Sequence, residues 1–138
     1  MTLSLQKNTG SDASKLEANK AIVLAFYEAA INRTDFEAAS KFLGSRYVQH
    51  NPLIADGIEG FKDFLAFLRE NFPGLRAEVK RVFADGDFVT AHTHGVRVPG
   101  DRGSAIVDIF RLEEGKIVEH WDVIQPIPEQ PLNQNGMF

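Results

Sequence analysis

Leu16, Ile22, Val23, Phe26, Ala30 and Ile31 recur at helical spacing behind Ser14 and Glu17, a pair with capping-box separation. The pattern predicts a first helix from Ser14 through Asn32. Thr34 and Glu37 repeat the start signal for a short second helix ending near Leu43, where Gly44 is the expected left-handed stop. Arg46 to Pro52 reads as a brief extended segment that cannot be a central strand, because Pro52 removes a ladder donor. Gly57 to Gly60 read as a turn, and Phe61, Phe64, Leu65, Leu68 and Phe72 then form the apolar face of a third helix ended by Pro73-Gly74. After it the period changes to two. Leu75–Ala84, Asp87–Val98, Ser104–Leu112 and Lys116–Gln125 read as four strands of an antiparallel meander, separated by glycine-containing turns. Three N-terminal helices followed by a curled antiparallel sheet make an α+β domain over 14–125. Residues 1–13 show no period and are expected to be a flexible lead-in, while the Pro-rich residues 126–138 are expected to be an irregular tail.

Alternation decides which polar groups share a face. In the second of the four strands, His92 and His94 point one way and Ala91, Thr93 and Gly95 the other. In the third, Asp108 stands between Ile106 and Phe110, a costly place for a charge. A three-residue turn over Glu113-Glu114-Gly115 asks positive φ only of Gly115 and is favoured over a two-residue turn that would ask it of Glu114 as well. It sets Leu112 opposite Lys116, Asp108 opposite His120 and Ile106 opposite Asp122. Asp108, His120 and Asp122 then converge on one surface, with His92 or His94 expected to join them. Val107, Ile109, Trp121 and Val123 fall on the other face, an apolar patch that is expected to form a homodimer unless the tail folds over it.

Composition narrows the chemistry. The 138 residues contain no Cys, which excludes disulfides, thiolate nucleophiles and Cys-ligated metals. The net charge of −4 is spread without blocks, so no basic field exists to hold nucleic acid or an anionic membrane. No apolar run approaches the ~18 residues of a membrane span, and no secretory signal is visible, so a cytoplasmic location is expected. Eleven Phe against two Tyr and one Trp suit an apolar pocket with few polar handles.

Ala105-Ile-Val-Asp-Ile-Phe-Arg111, Gly115-Lys-Ile-Val-Glu-His-Trp-Asp122 and Tyr47-Val-Gln-His-Asn-Pro52 together resemble the SnoaL-like polyketide cyclases. These belong to the nuclear-transport-factor-2-like (NTF2-like) superfamily, which also holds the ketosteroid isomerases. The resemblance spans roughly residues 15–125 and implies a conical α+β barrel enclosing an apolar pocket, often dimeric through its outer sheet face. It also implies roles. Asp108 matches the proton-transfer acid of the cyclases and the oxyanion donor of the isomerases, His94 matches the cyclase histidine, and Tyr27 matches the isomerase tyrosine. At the position of the isomerase's carboxylate base this chain has Asn51, beside His50, so the cyclase reading fits better.

The function these readings imply is cofactor-free acid/base chemistry on a small apolar carbonyl compound, of aldol-cyclase or related isomerase or hydratase type. One group takes a proton beside the carbonyl while others hold the developing enolate. Asp108, His94 and His120 are the catalytic candidates, and Tyr27, His50, Asn51, His92, Phe110 and Asp122 are the expected substrate contacts. The alternative is a hydrophobic-ligand-binding module without turnover. A His92-x-His94 metal site completed by His120 or Asp108 is a loose signal only, so no metal is expected. The Gly57–Gly60 and Pro99–Gly103 glycines lack the setting of a phosphate loop, and no Ser sits in a nucleophile elbow.

Overall fold

In a computed structural model the chain is described from Thr9 to Phe138, with side chains from Asp12. Of the expected flexible lead-in, residues 1–8 lie outside the described residues. Helix α1 spans Thr9–Tyr27, so Ser14 and Glu17 lie within it rather than capping it. Its end widens into a π-turn over Glu28–Asn32. Helix α2 covers Phe36–Ser40. Its cap is Asp35, whose side chain accepts from the Ala38 N–H at 3.0 Å, while Thr34 takes a positive φ of 45° in the link. Helix α3 spans Gly57–Asn71, and the glycine segment expected to be a turn is its first turn.

Five strands follow one another as β1 (Leu43–Gln49), β2 (Arg76–Asp85), β3 (Phe88–Val96), β4 (Ser104–Glu113) and β5 (Lys116–Pro126). Strands β2 to β5 form the expected antiparallel meander, and β1 adds to it as an edge strand parallel to β5, in the order β1-β5-β4-β3-β2. The architecture is the α+β cone, with an open mixed sheet curling around the helices. Its core joins Val23, Phe26 and Tyr27 of α1 and Phe61, Leu65 and Leu68 of α3 to Val89, Phe110, Leu112 and Ile117 of the sheet.

The β4–β5 hairpin reaches the expected faces by a different route. Glu113 pairs with Lys116, and both Glu114 (φ 49°) and Gly115 (φ 76°) are left-handed, so the turn has two residues, not three. Alone, that one-residue slip would turn β5 inside out. A β-bulge offsets it: Leu112 pairs with Ile117 but Arg111 with Glu119, leaving Val118 as the extra residue. The exchange sets fully buried Ile117, instead of charged Lys116, opposite Leu112, burial that contributes about 1.5–3 kcal/mol. Asp108 therefore pairs with Asp122, and His120 with Phe110. Gly44 lies in β1 and is no helix stop; a Cβ there would stand 2.9 Å from Val118 Cγ1, so the bulge needs a glycine beside it.

On the outer face, the paired Val107 and Val123 are 38% and 71% exposed, and the next pair along, Ile109 and Trp121, is partly covered. The tail crosses only part of this surface. Ile127 N–H donates to Gly103 O at 3.0 Å, and the Phe138 ring lies against His92 and His94 with Lys80 Nζ above it.

Candidate functional site

A cavity of about 580 Å³ opens between the helices and the inner face of the sheet, walled chiefly by Phe26, Ile31, Phe61, Phe64, Leu65, Leu68, Ile106 and Phe110. That size suits a small organic ligand. Its polar groups are few: Tyr27 from α1, Tyr47 and Gln49 from β1, Asn51 after β1, Asp108 from β4, and His120 and Asp122 from β5 line the interior, while Arg97, Asp101 and Ser104 stand toward its mouth.

Asp108, only 4% exposed, is held at both oxygens. The Tyr27 hydroxyl donates to Oδ2 at 2.8 Å, and His120 Nε2 lies 2.8 Å from Oδ1. The other imidazole nitrogen reports the proton count. His120 Nδ1 lies 2.9 Å from Gln49 Oε1, and the Asn51 backbone N–H donates to that same oxygen at 2.9 Å, which identifies the atom as an acceptor. Nδ1 therefore carries a hydrogen, and the Nε2···Oδ1 contact holds one further proton between imidazole and carboxyl. Burial, with the Asp108 charge adding to it, raises the Tyr27 phenol well above its usual value, so this hydroxyl stays a donor.

Asp122 stands beside this pair. Asn51 Nδ2 donates to its two oxygens at 2.8 and 3.1 Å, and Asn51 Oδ1 accepts from the Leu53 N–H, which locks the amide in place. Burial raises the Asp122 carboxyl, while the Asn51 hydrogen bond and the nearby His120 charge work against that rise. Donor atoms of Asp108, His120 and Asp122 all lie within 4.8 Å of one another, close enough to share one proton or one divalent cation. The arrangement can accept a proton and return it, with the Tyr27 hydroxyl holding Asp108 Oδ2 in place.

Of the residues expected at the site, Tyr27, Asn51, Asp108, Phe110, His120 and Asp122 meet at the cavity. His92 and His94 do not. Asp108 pairs with Ala91, so His92 and His94 lie on the outer face opposite Val107 and Ala105. There His92 meets the Arg81 guanidinium, and His94 Nε2 donates to Arg102 O at 2.8 Å, which ties down the β3–β4 loop. The small residues Ala91, Thr93 and Gly95 take the inner face instead. His50 is also outside, stacked on Trp121 with centroids 4.7 Å apart and bonded to Glu119 at 2.6 Å. A metal site built on the His92-x-His94 pair with Asp108 or His120 is thereby excluded by geometry. Sequence reasoning missed Gln49, which orients His120. Its signal was a polar residue at the same parity as buried Leu43 and Tyr47.

The fold and the enclosed polar cluster define an NTF2-like α+β cone with a ligand-sized interior. The chain belongs to the SnoaL-like domain family, whose pattern matches residues 23–120. Among solved structures it is similar to AclR, a candidate hydroxylase from Streptomyces galilaeus, at 26% identity over 80% of this chain and 90% of that one, with a TM-score of 0.67. A candidate polyketide cyclase from Bacillus cereus shares 22% identity over 78% and 74% of the two chains, with a TM-score of 0.67. A candidate ketosteroid isomerase from Kribbella flavida shares 21% over 87% of each, with a TM-score of 0.64. No functionally curated protein matches the sequence. Among the described residues no helix is long and apolar enough to cross a membrane.

Proposed function

We propose that the chain is an acid/base enzyme acting on a small apolar carbonyl compound without a cofactor, of the aldol-cyclase type. The observation that carries this reading is the 2.8 Å contact between Asp108 Oδ1 and His120 Nε2 inside a largely apolar cavity. With the proton on His120, the Asp108 carboxylate takes a proton from the carbon beside the substrate carbonyl, and the C–H electron pair becomes the enolate. Tyr27, Asn51 and Asp122 orient the polar end of the substrate, and Phe110 packs on its body. The enolate carbon then bonds to a second carbonyl carbon, and the new alkoxide takes the proton back from Asp108. The candidate cyclase and isomerase among the structural neighbours support carbonyl chemistry in this fold.

Asp108→Asn keeps the shape of the side chain and removes its proton acceptor. Solvent-deuterium exchange into a β-keto compound, followed by NMR, should fall by about 10²–10⁴-fold while the fold and ligand affinity persist. Unchanged exchange would remove Asp108 from this role. Tight binding with no exchange in the parent protein would assign the cavity to a non-catalytic binding module instead. The reading includes a homodimer through Val107, Ile109, Trp121 and Val123, supported by the exposure that the tail leaves on that face.

A further inference from the structure

Arg97 has no part in the chemistry proposed above. It follows β3 on the same face as Ala91 and Gly95 and lines the mouth of the cavity. Its guanidinium carbon sits 4.9 Å from the centre of the Phe72 ring, which holds the side chain at the rim. Among the described residues it has neither an ion-pair partner nor a hydrogen bond from its guanidinium. Asp101 lines the same rim, but the two do not form an ion pair. The β3–β4 loop that carries Asp101 is fastened just after it by His94 Nε2 to Arg102 O and by Ile127 N–H to Gly103 O, so the rim is braced.

Charge varies along the cavity. Its inner part holds the Asp122 carboxyl beside the Asp108–His120 pair and offers an anion no free cation, whereas its mouth offers an unpaired guanidinium whose fork suits a carboxylate. Gly95 adds no side chain between the two ends. We infer that Arg97 is an anchor for a carboxylate on the substrate, so that the ligand is an elongated apolar keto acid with its acid group at the mouth and its carbonyl beside Asp108. β3 runs from Ala91, opposite Asp108, to Val96, and Arg97 is the next residue, a span that suits a ligand on the order of 20 Å long. The orientation within this assignment rests on the proposed function; the carboxylate anchor itself does not.

Displacement of the neutral dye Nile red from the full chain tests it. Decanoate should displace the dye at about fivefold lower concentration than methyl decanoate, the effect of one well-placed exposed charge pair, and added salt should shrink the margin. Arg97→Gln should erase the margin and leave the ester unchanged, Arg97→Lys should keep part of it, and Asp101→Asn should widen it. Equal displacement by acid and ester, or equal weakening of both in Arg97→Gln, would overturn the anchor and reduce Arg97 to packing on Phe72. Decyl phosphate displacing better than decanoate would overturn the carboxylate assignment. No turnover is read in these assays. A preference for the acid without C–H exchange therefore keeps the anchor while the catalytic reading fails, and exchange without the preference does the reverse.

Discussion

Tyr27→Phe isolates one hydrogen bond of the buried cluster. The ring packs among Val23, Phe26 and Ala30 and is 6% exposed, so the substitution keeps the apolar contacts and deletes only the hydroxyl. What is lost is the 2.8 Å bond to Asp108 Oδ2, a buried bond to an acidic group, and Oδ2 is left without a donor. Such bonds contribute about 1.5–3 kcal/mol, which here corresponds to a melting point lower by roughly 5–10 °C. The pH dependence carries the second half of the test. Burial raises the Tyr27 phenol above its ordinary value of 10.0, so the stability tied to it is complete below that pH and is lost as pH rises toward the folded value. Tyr27→Phe lacks that loss. Urea melts of both proteins from neutral to alkaline pH should therefore show a gap of about 2 kcal/mol at pH 7 that narrows above pH 10. A gap under ~0.5 kcal/mol at pH 7, or one that widens at high pH, would refute the view that this hydroxyl is a buried donor to Asp108.

Asp122 titrates in the opposite sense to a salt-bridged acid. Its raised folded value means that its contribution is present below the unfolded value near 3.8 and lost as pH rises, so Asp122→Asn should gain on the parent between acid and neutral pH in urea melts; a variant that loses ground over that range would contradict the burial of this carboxyl. Glu114→Asn should raise stability by about 1 kcal/mol in thermal melts, because Asn tolerates the left-handed backbone that Glu114 is forced to adopt. Truncation after Gln125 removes Phe138 from the outer face; gel filtration should still show a dimer if the sheet is the contact, whereas a monomer would assign the contact to the tail.

Most of the framework was legible because its signals are local. The strands after α3 begin and end within two residues of their expected limits, since each is bounded by a glycine-bearing turn and carries a period of two. The grouping of Asp108, His120 and Asp122 was also legible, although by compensation: a shorter turn and a bulge at Val118 shift the pairing twice, and two shifts restore the face. The histidines of β3 were not. Alternation placed His92 and His94 together, but which face of β3 meets Asp108 depends on the path of the loop from Arg97 to Gly103, and both faces mix polar with apolar residues. The small residues Ala91, Thr93 and Gly95 were the available clue, because helix α1 and the cavity need space on that side. Helix starts were misplaced where a side chain with capping chemistry was not the one that caps, as with Ser14 and Thr34.

The paired irregularities in the β4–β5 hairpin make its geometry a matter of odd and even. Insertion or removal of one residue between Glu113 and Glu119 would point His120 and Asp122 to the outer face of the sheet and drive Trp121 into the space they vacate. Changes by two would preserve the arrangement. Loop grafts and evolutionary length variants of this hairpin should thus be tolerated in even steps, and an odd step is a one-residue edit that empties the interior of its chemistry while leaving every residue type in place.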